Sequence, residues 1–258
     1  MRFWNPARRG RTEAVRPLIG VLCCNEYFDR PVQTVASRFL EPIARIANAD
    51  VLLVPASPDL TDPKSLAGRL DGLLLTGSRS HVAPGAYGGA ESGHGNIDRR
   101  RDRMALSLAS EMIEASKPVF GICRGLQELN VLFGGTLRGD LADSHKHPAA
   151  ADIAFEELFG HRHSIDLVGG GVLAPRGPAQ IAVNSVHEQG VDRLGSGLRI
   201  EAVESGGSLV EGFSSQGCGA PVLAVQWHPE CDTETCSVSR SFFEILGTAA
   251  ARSLQLAA

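Results

Sequence analysis

Apolar and polar positions alternate in blocks along the first half of the chain. Residues 18–23 (LIGVLC) form a short uncharged run with the length of a buried strand. Val35, Phe39, Ile43 and Ile46 then recur at steps of four, four and three, which predicts a helix kinked by Pro42. Residues 51–54 (VLLV) close at Pro55 and predict a second strand. Leu66 and Leu70 predict a short helix, and residues 73–75 (LLL) a third strand ending at Thr76-Gly77-Ser78. Met104, Leu108 and Met112 step by four along a helix that runs up to Lys117-Pro118, and residues 119–122 (VFGI) follow as a fourth strand. Strands alternating with segments of helical length predict a parallel sheet covered on both faces.

After residue 136 the rhythm changes. Apolar runs at 165–167, 181–183, 198–200, 209–210 and 222–225 come without long helices between them, and turns such as Gly169-Gly170-Gly171 and Gly206-Gly207 separate them. This half reads as antiparallel additions to the same sheet, closed by a helix through Phe242, Phe243 and Leu246. Residues 77–96, with five glycines after Ser78, read as a long structureless loop of the kind that serves function or stays disordered. Residues 1–16 are Arg-rich and read as a loose basic arm, leaving 17–258 as one domain without repeats or a clean linker.

Composition narrows the class without naming an activity. With 258 residues the chain can bury most of its apolar surface without disulfides or structural metal. It is 43% hydrophobic and 21% charged, and its net charge of −4 is too mild for a basic nucleic-acid grip. No apolar run approaches the ~18–20 residues of a membrane span, and the basic N-terminus lacks the apolar stretch of a signal peptide. The six cysteines, at 23, 24, 123, 218, 231 and 236, follow no regular ladder and read as reduced thiols of a cytoplasmic protein. Cys231 and Cys236 have no second pair to complete a metal site.

The chemistry concentrates in two stretches. In the first, residues 119–135, a buried strand runs into Gly121-Ile122-Cys123-Arg124-Gly125 and at once into a helix carrying Leu126, Leu129 and Phe133 and ended by Gly134-Gly135. This Gly-x-Cys-x-Gly pattern is the thiol counterpart of the Gly-x-Ser-x-Gly nucleophile elbow. The turn demands unusual dihedrals and close helix–strand approach, which a Cβ at either glycine would obstruct. It holds Cys123 at the top of the sheet, where a helix N-terminus favours the thiolate, and places the Arg124 amide to donate to an oxyanion. In the second stretch, the strand 222–225 ends at His228-Pro229-Glu230. The imidazole can move a proton at sulfur and leaving group, while Glu230 accepts from its other nitrogen.

GICRGLQ with a downstream QWHPE resembles the class I glutamine amidotransferase-like superfamily. CRGLQELNVLFGGTL, VNSVHEQGVDRL with LRIEAVES, VQWHPE and LTGSRSHVAPGAYGG are similar to its γ-glutamyl-γ-aminobutyrate hydrolase branch, over residues 17–247. The resemblance implies an α/β fold, a three-layer α/β/α flavodoxin-like sandwich whose mostly parallel sheet gains antiparallel strands in the second half. It implies Cys123 as nucleophile, His228 as general base and acid, and Glu230 as the residue orienting it. The Gly77-Ser78 turn would then supply the second oxyanion amide beside Arg124. Gln127 and the Asn184-Ser185-Val186-His187 edge would hold the glutamyl end, with His187 either touching substrate or only bracing the loop. The branch carries Asn where His81 stands, which marks His81 as a residue bearing on the leaving group.

The expected reaction is hydrolysis of a γ-glutamyl amide through a thioester, with γ-glutamyl-γ-aminobutyrate or a γ-glutamyl polyamine as substrate, in putrescine or polyamine breakdown. No metal or organic cofactor is expected. The expected partner is the small-molecule γ-glutamyl substrate, with neither nucleic acid nor membrane, and a homodimer stays open. A glutaminase subunit feeding ammonia to a separate synthetase is the first alternative, and a non-catalytic binding relative the second. His145/His147 and His161/His163 have chelating spacing but no convincing carboxylates, so they read as ordinary loop histidines. The resemblance implies that residues 161–163 enter the antiparallel region near the pocket, with His163 structural there. The run Arg99-Arg100-Arg101-Asp102-Arg103 reads as a solvated helix face, with Arg101-Asp102 matching a pair in the family that implies an internal salt bridge.

Overall fold

The structure, a computed structural model, describes residues 15–89, 96–139, 141, 155–174 and 179–257. In chain order the elements are β1 (Leu18–Leu22), β2 (Cys24–Tyr27), β3 (Pro31–Thr34), α1 (Ser37–Arg45), β4 (Asp50–Val54), α2 (Pro63–Arg69), β5 (Gly72–Leu75), α3 (Arg99–Glu114), β6 (Val119–Ile122) and α4 (Arg124–Leu132). There follow β7 (Thr136–Arg138), α5 (Phe155–Leu158), β8 (Arg162–Leu167), β9 (Ala179–Asn184), β10 (Gly190–Arg193), β11 (Arg199–Glu204), β12 (Val210–Ser215), β13 (Val222–Val225) and α6 (Ser237–Ala257).

Among the described residues, the main sheet has nine strands in the order β4-β1-β5-β6-β13-β12-β11-β8-β9. The strands from β4 to β13 run parallel, and β12, β11, β8 and β9 extend the sheet antiparallel to their neighbours. The change of direction expected after residue 136 is therefore present within one sheet. The period-2 alternation of strand side chains sorts the core into two layers. Ile19, Val21, Leu74, Phe120 and Ile122 face α1 and α6 with Phe39, Ile43, Phe242, Phe243 and Leu246. Leu22, Leu73, Leu75 and Val119 face the other way, onto Met104, Leu108, Met112, Leu126 and Leu129. Because both faces are covered, the central strands read as continuous apolar runs rather than alternating ones.

Local chemistry starts the helices where the pattern places them. Asp62 caps α2 by accepting from the Ser65 amide at 2.8 Å, with Pro63 in the first turn, and Asp98 caps α3 by accepting from the Arg101 amide at 2.9 Å. α1 carries Pro42 inside it rather than ending there.

Several expectations change. The loop 77–96 is not structureless throughout: Pro84–Tyr87 form a 3-10 turn, and His81 bridges to Ile97. The hairpin β2–β3 and the ribbon β7–β10 carry no apolar run long enough to announce them. The run at 99–103 is only partly a solvated face, since Arg101 and Asp102 are buried. They do not pair with each other: Arg101 reaches Glu128 at 3.0 Å and Asp102 reaches Arg124 at 2.5 Å. Residues 1–14 of the arm and the His145/His147 pair lie outside the described residues. Arg16, where the arm ends, is tied by hydrogen bonds to the carbonyls of Ala44 and Ala49.

Candidate active site

The site lies at the carboxyl ends of β5, β6 and β13, neighbours in the parallel part of the sheet. Crevices at that end are where open α/β sheets bind ligands. The register pairs Leu75 with Gly121 and Ile122 with Val225, so Gly77, Cys123 and His228 emerge side by side.

The elbow concentrates its strain on the cysteine. Cys123 has φ +52° and ψ −103°, a conformation L-residues rarely occupy, whereas the glycines beside it are needed for space. A Cβ on Gly121 would come within 2.6 Å of Gly125 C and O, and one on Gly125 would overlap the carbonyl oxygen of Leu75. Helix α4 therefore presses directly on β5 and β6, and its first amide, that of Arg124, has no acceptor within the helix. A Cβ on Gly77 would stand 2.6 Å from His228 Cε1 and 3.5 Å from Cys123 Cβ, so glycine alone fits there.

His228 is buried and held from several sides. Its Nδ1 donates to Glu230 Oε1 at 2.6 Å, and its other neighbours include Phe159, whose ring stands edge-on at 5.0 Å, and Phe39 at 6.1 Å. Burial alone would lower the imidazole's pKa, but Glu230 and Cys123, through charge and hydrogen bonds, push it up to about 10. The upward direction favours the imidazolium form, set between a carboxylate and the Cys123 sulfur. Burial drives two other thiols the opposite way from activation, Cys23 up to about 11 and Cys231 up to about 12. All six cysteines are free.

The remaining predicted residues fall into distinct places. Ser78 Oγ lies 3.0 Å from Ser80 Oγ in the turn after β5. Asn184, at the end of β9, clasps the backbone of His228: its Nδ2 donates to the carbonyl and its Oδ1 accepts from the amide, both at 2.8 Å. Ser185 is buried beside it and donates its amide to His161 O at 3.0 Å. Gln127 Nε2 donates to Gln189 O at 2.7 Å and to Gln226 Oε1 at 3.3 Å. His187 Nδ1 lies 3.1 Å from that same carbonyl of Gln189, and its Nε2 lies 3.7 Å from Glu211. Gln127 and His187 thus share the Gln189 carbonyl, while Asn184 steadies the backbone of His228. His81 Nε2 pairs with Glu188 at 3.4 Å, at the outer edge. His163 faces buried Glu211 at 3.6 Å, and among the described residues no cluster suits a metal ion.

Two features go beyond what the sequence singled out. Beneath the elbow, Glu128 accepts from Arg101 at 3.0 Å and from Arg124 at 2.8 Å, while Arg101 also donates to Thr76 O, just before Gly77. One buried charge network therefore ties the Gly77 turn to the Arg124 turn. The second is Arg38, whose Nε donates to Glu230 Oε1 at 3.2 Å from 192 positions away.

The peptidase C26 family model matches residues 17–230. The chain is 34% identical over 236 residues to the gamma-glutamyl-gamma-aminobutyrate hydrolase PuuD of Escherichia coli (strain K12), covering 88% of this chain and 91% of that one. It is 30% identical over 204 residues to the protein NtpR of Enterococcus hirae, covering 74% and 81%. Among solved structures, the glutaminase domain of Trypanosoma brucei CTPS with bound acivicin superposes with a TM-score of 0.57 at 16% identity, covering 92% and 94%. The fold is thus of the class I glutamine amidotransferase type, the α/β sandwich expected from the motifs.

Proposed function

The chain belongs to the peptidase C26 family, and on that footing we propose that it hydrolyses γ-glutamyl amides with Cys123 as nucleophile, His228 as proton carrier and Glu230 as its orienting carboxylate. The observation that carries this reading is the strained Cys123 elbow standing against an imidazole whose far nitrogen is held by Glu230 at 2.6 Å. The similarity to hydrolases named for γ-glutamyl-γ-aminobutyrate supports the acyl group.

The Cys123 thiolate attacks the γ-carbonyl carbon, and the negative charge moves to oxygen. The amides of Arg124 and the Gly77-Ser78 turn hold that oxyanion, a contribution of about 3–4 kcal/mol per donor in comparable sites. The His228 imidazolium gives its proton to the departing nitrogen as the C–N bond breaks, leaving a γ-glutamyl thioester and a neutral imidazole. Water then loses a proton to His228 and attacks the thioester. Collapse expels the thiolate and releases glutamate. The favoured substrates are γ-glutamyl-γ-aminobutyrate or a γ-glutamyl polyamine, a role in putrescine or polyamine breakdown.

Glutamate release from γ-glutamyl-γ-aminobutyrate, γ-glutamylputrescine and glutamine tests the reading, with Cys123→Ala as control. Release from one of the first two, lost in Cys123→Ala, supports it. Activity that survives the substitution overturns the mechanism, and activity on glutamine alone overturns the substrate class.

A further inference from the structure

Glu230 is anchored unevenly. Its Oε1 accepts from both His228 Nδ1 and Arg38 Nε, while Oε2, equally buried, has no hydrogen-bond partner among the described residues. A carboxylate held by one oxygen can swing about its own bonds unless its donors are themselves fixed. Arg38 is fixed: its guanidinium lies 4.8 Å from the centroid of Phe39 and 5.1 Å from that of Phe159. Those same two rings pack on the imidazole of His228. Arginine, two phenylalanines and glutamate therefore form one block packed against the imidazole.

We infer that Arg38 is a positioning residue for the proposed reaction: it pins Glu230 Oε1 on His228 Nδ1 and limits how much of the carboxylate's charge reaches the imidazole. The inference rests on the assignment of Cys123, His228 and Glu230 given above. An ionised oxygen shared between two cations stabilises each less than it would stabilise one alone. Among the described residues, the other charged or titratable groups on the elements packed around the block are Cys123 at the start of α4, Cys231 and Asp232 in the turn after Glu230, Arg162 on β8, which holds Asp232 at 3.1 Å, and two exposed pairs, Glu41 with Arg45 on α1 and Arg240 with Glu244 on α6. Among the described residues, only His228 and Arg38 are hydrogen bonded to the Glu230 carboxylate.

The test follows the rate of iodoacetamide alkylation at Cys123 against pH, by peptide mass spectrometry, in the full chain and in Arg38→Met and Arg38→Lys, alongside kcat and KM. The thiolate's reactivity rises again where His228 loses its proton, so the alkaline step reports on the imidazole without any substrate. In Arg38→Met that step moves up by about half a pH unit or more as the competing cation disappears. The same variant loses about tenfold in kcat with KM within about twofold. Arg38→Lys keeps the charge but not the planar fork, so its step stays near the parent position while kcat recovers only in part. An alkaline step unmoved in Arg38→Met, or moved equally in Arg38→Lys, overturns the inference. Arg38→Gln takes the place of Arg38→Met if the latter does not fold. If Cys123 of the unmodified protein alkylates no faster than its other cysteines, the nucleophile assignment fails instead.

Discussion

Asn184 holds both backbone polar groups of His228, donating to the carbonyl and accepting from the amide at 2.8 Å each. An amide side chain engaged in this way fixes where the imidazole starts from, and its contribution is geometric. Asn184→Ala is therefore expected to lower kcat about 10- to 100-fold with little change in KM, as a shift near 1 Å at a reacting group does. Steady-state kinetics decide the matter. A raised KM at unchanged kcat would show instead that Asn184 acts by holding the glutamyl group.

Glycines with different surroundings answer differently to alanine. Gly77→Ala drives a methyl against His228 Cε1 at 2.6 Å, so about 100-fold of kcat is lost for an overpacking cost of about 1–3 kcal/mol. Gly125→Ala meets the backbone oxygen of Leu75, which cannot rotate away, and is expected to cost about 3 kcal/mol or more. Gly68→Ala in α2 meets nothing within 4 Å and stabilises by about 0.5–1 kcal/mol. Urea midpoints of the three variants, with activity, give the ranking. Equal midpoints for Gly125→Ala and Gly68→Ala would refute it.

Glu128→Ala leaves the buried guanidinium groups of Arg101 and Arg124 short of a shared carboxylate. Removing one partner from a buried charge network costs about 3–5 kcal/mol, because the remaining charge has no water to turn to. Equilibrium urea unfolding measures this, and a loss under about 1 kcal/mol would mean that the network relaxes freely.

The raised pKa of His228 links stability to pH. Since the folded value of about 10 exceeds the ordinary 6.5, the folded state binds the proton more tightly than the unfolded one. The contribution is complete below about pH 6.5 and disappears as pH rises through about 10, with a size on the order of 5 kcal/mol. Unfolding midpoints at pH 6, 8 and 10 should fall more steeply for the parent protein than for His228→Gln. Parallel profiles would show that the imidazole is not charged in the folded state.

Much of this architecture can be read from the chain. The elbow is legible because Gly121 and Gly125 bracket Cys123 between an apolar strand and an amphipathic helix, all within one turn of each other. The reading of the glycines needs one refinement: the unusual dihedrals belong to Cys123, and the glycines supply clearance. The antiparallel second half is legible from its short spacings, but the hairpin β2–β3 is not, because Cys24-Asn25-Glu26 buries no continuous face.

The residues around the elbow and His228 are less legible. Resemblance singles out Asn184 and Gln127 as substrate contacts, and the structure places their side-chain amides on protein carbonyls. Nothing in the helical stripe of Val35, Phe39, Ile43 and Ile46 marks the Arg38 beside it, since a charged residue one step from an apolar one is what any amphipathic helix shows.

The sequence by itself determined the elements that repeat with a short period, and the two motifs whose chemistry lies within a few residues. Backbone geometry and nearest neighbours fix those, so the signal is local. Only the tertiary structure decided that β5, β6 and β13 stand side by side, and with them which distant groups meet: Arg38 with Glu230, Arg101 with Glu128, and Asn184 with His228. Such partners are chosen by strand order and by the burial of charge, which reward a complete network wherever along the chain its members arise.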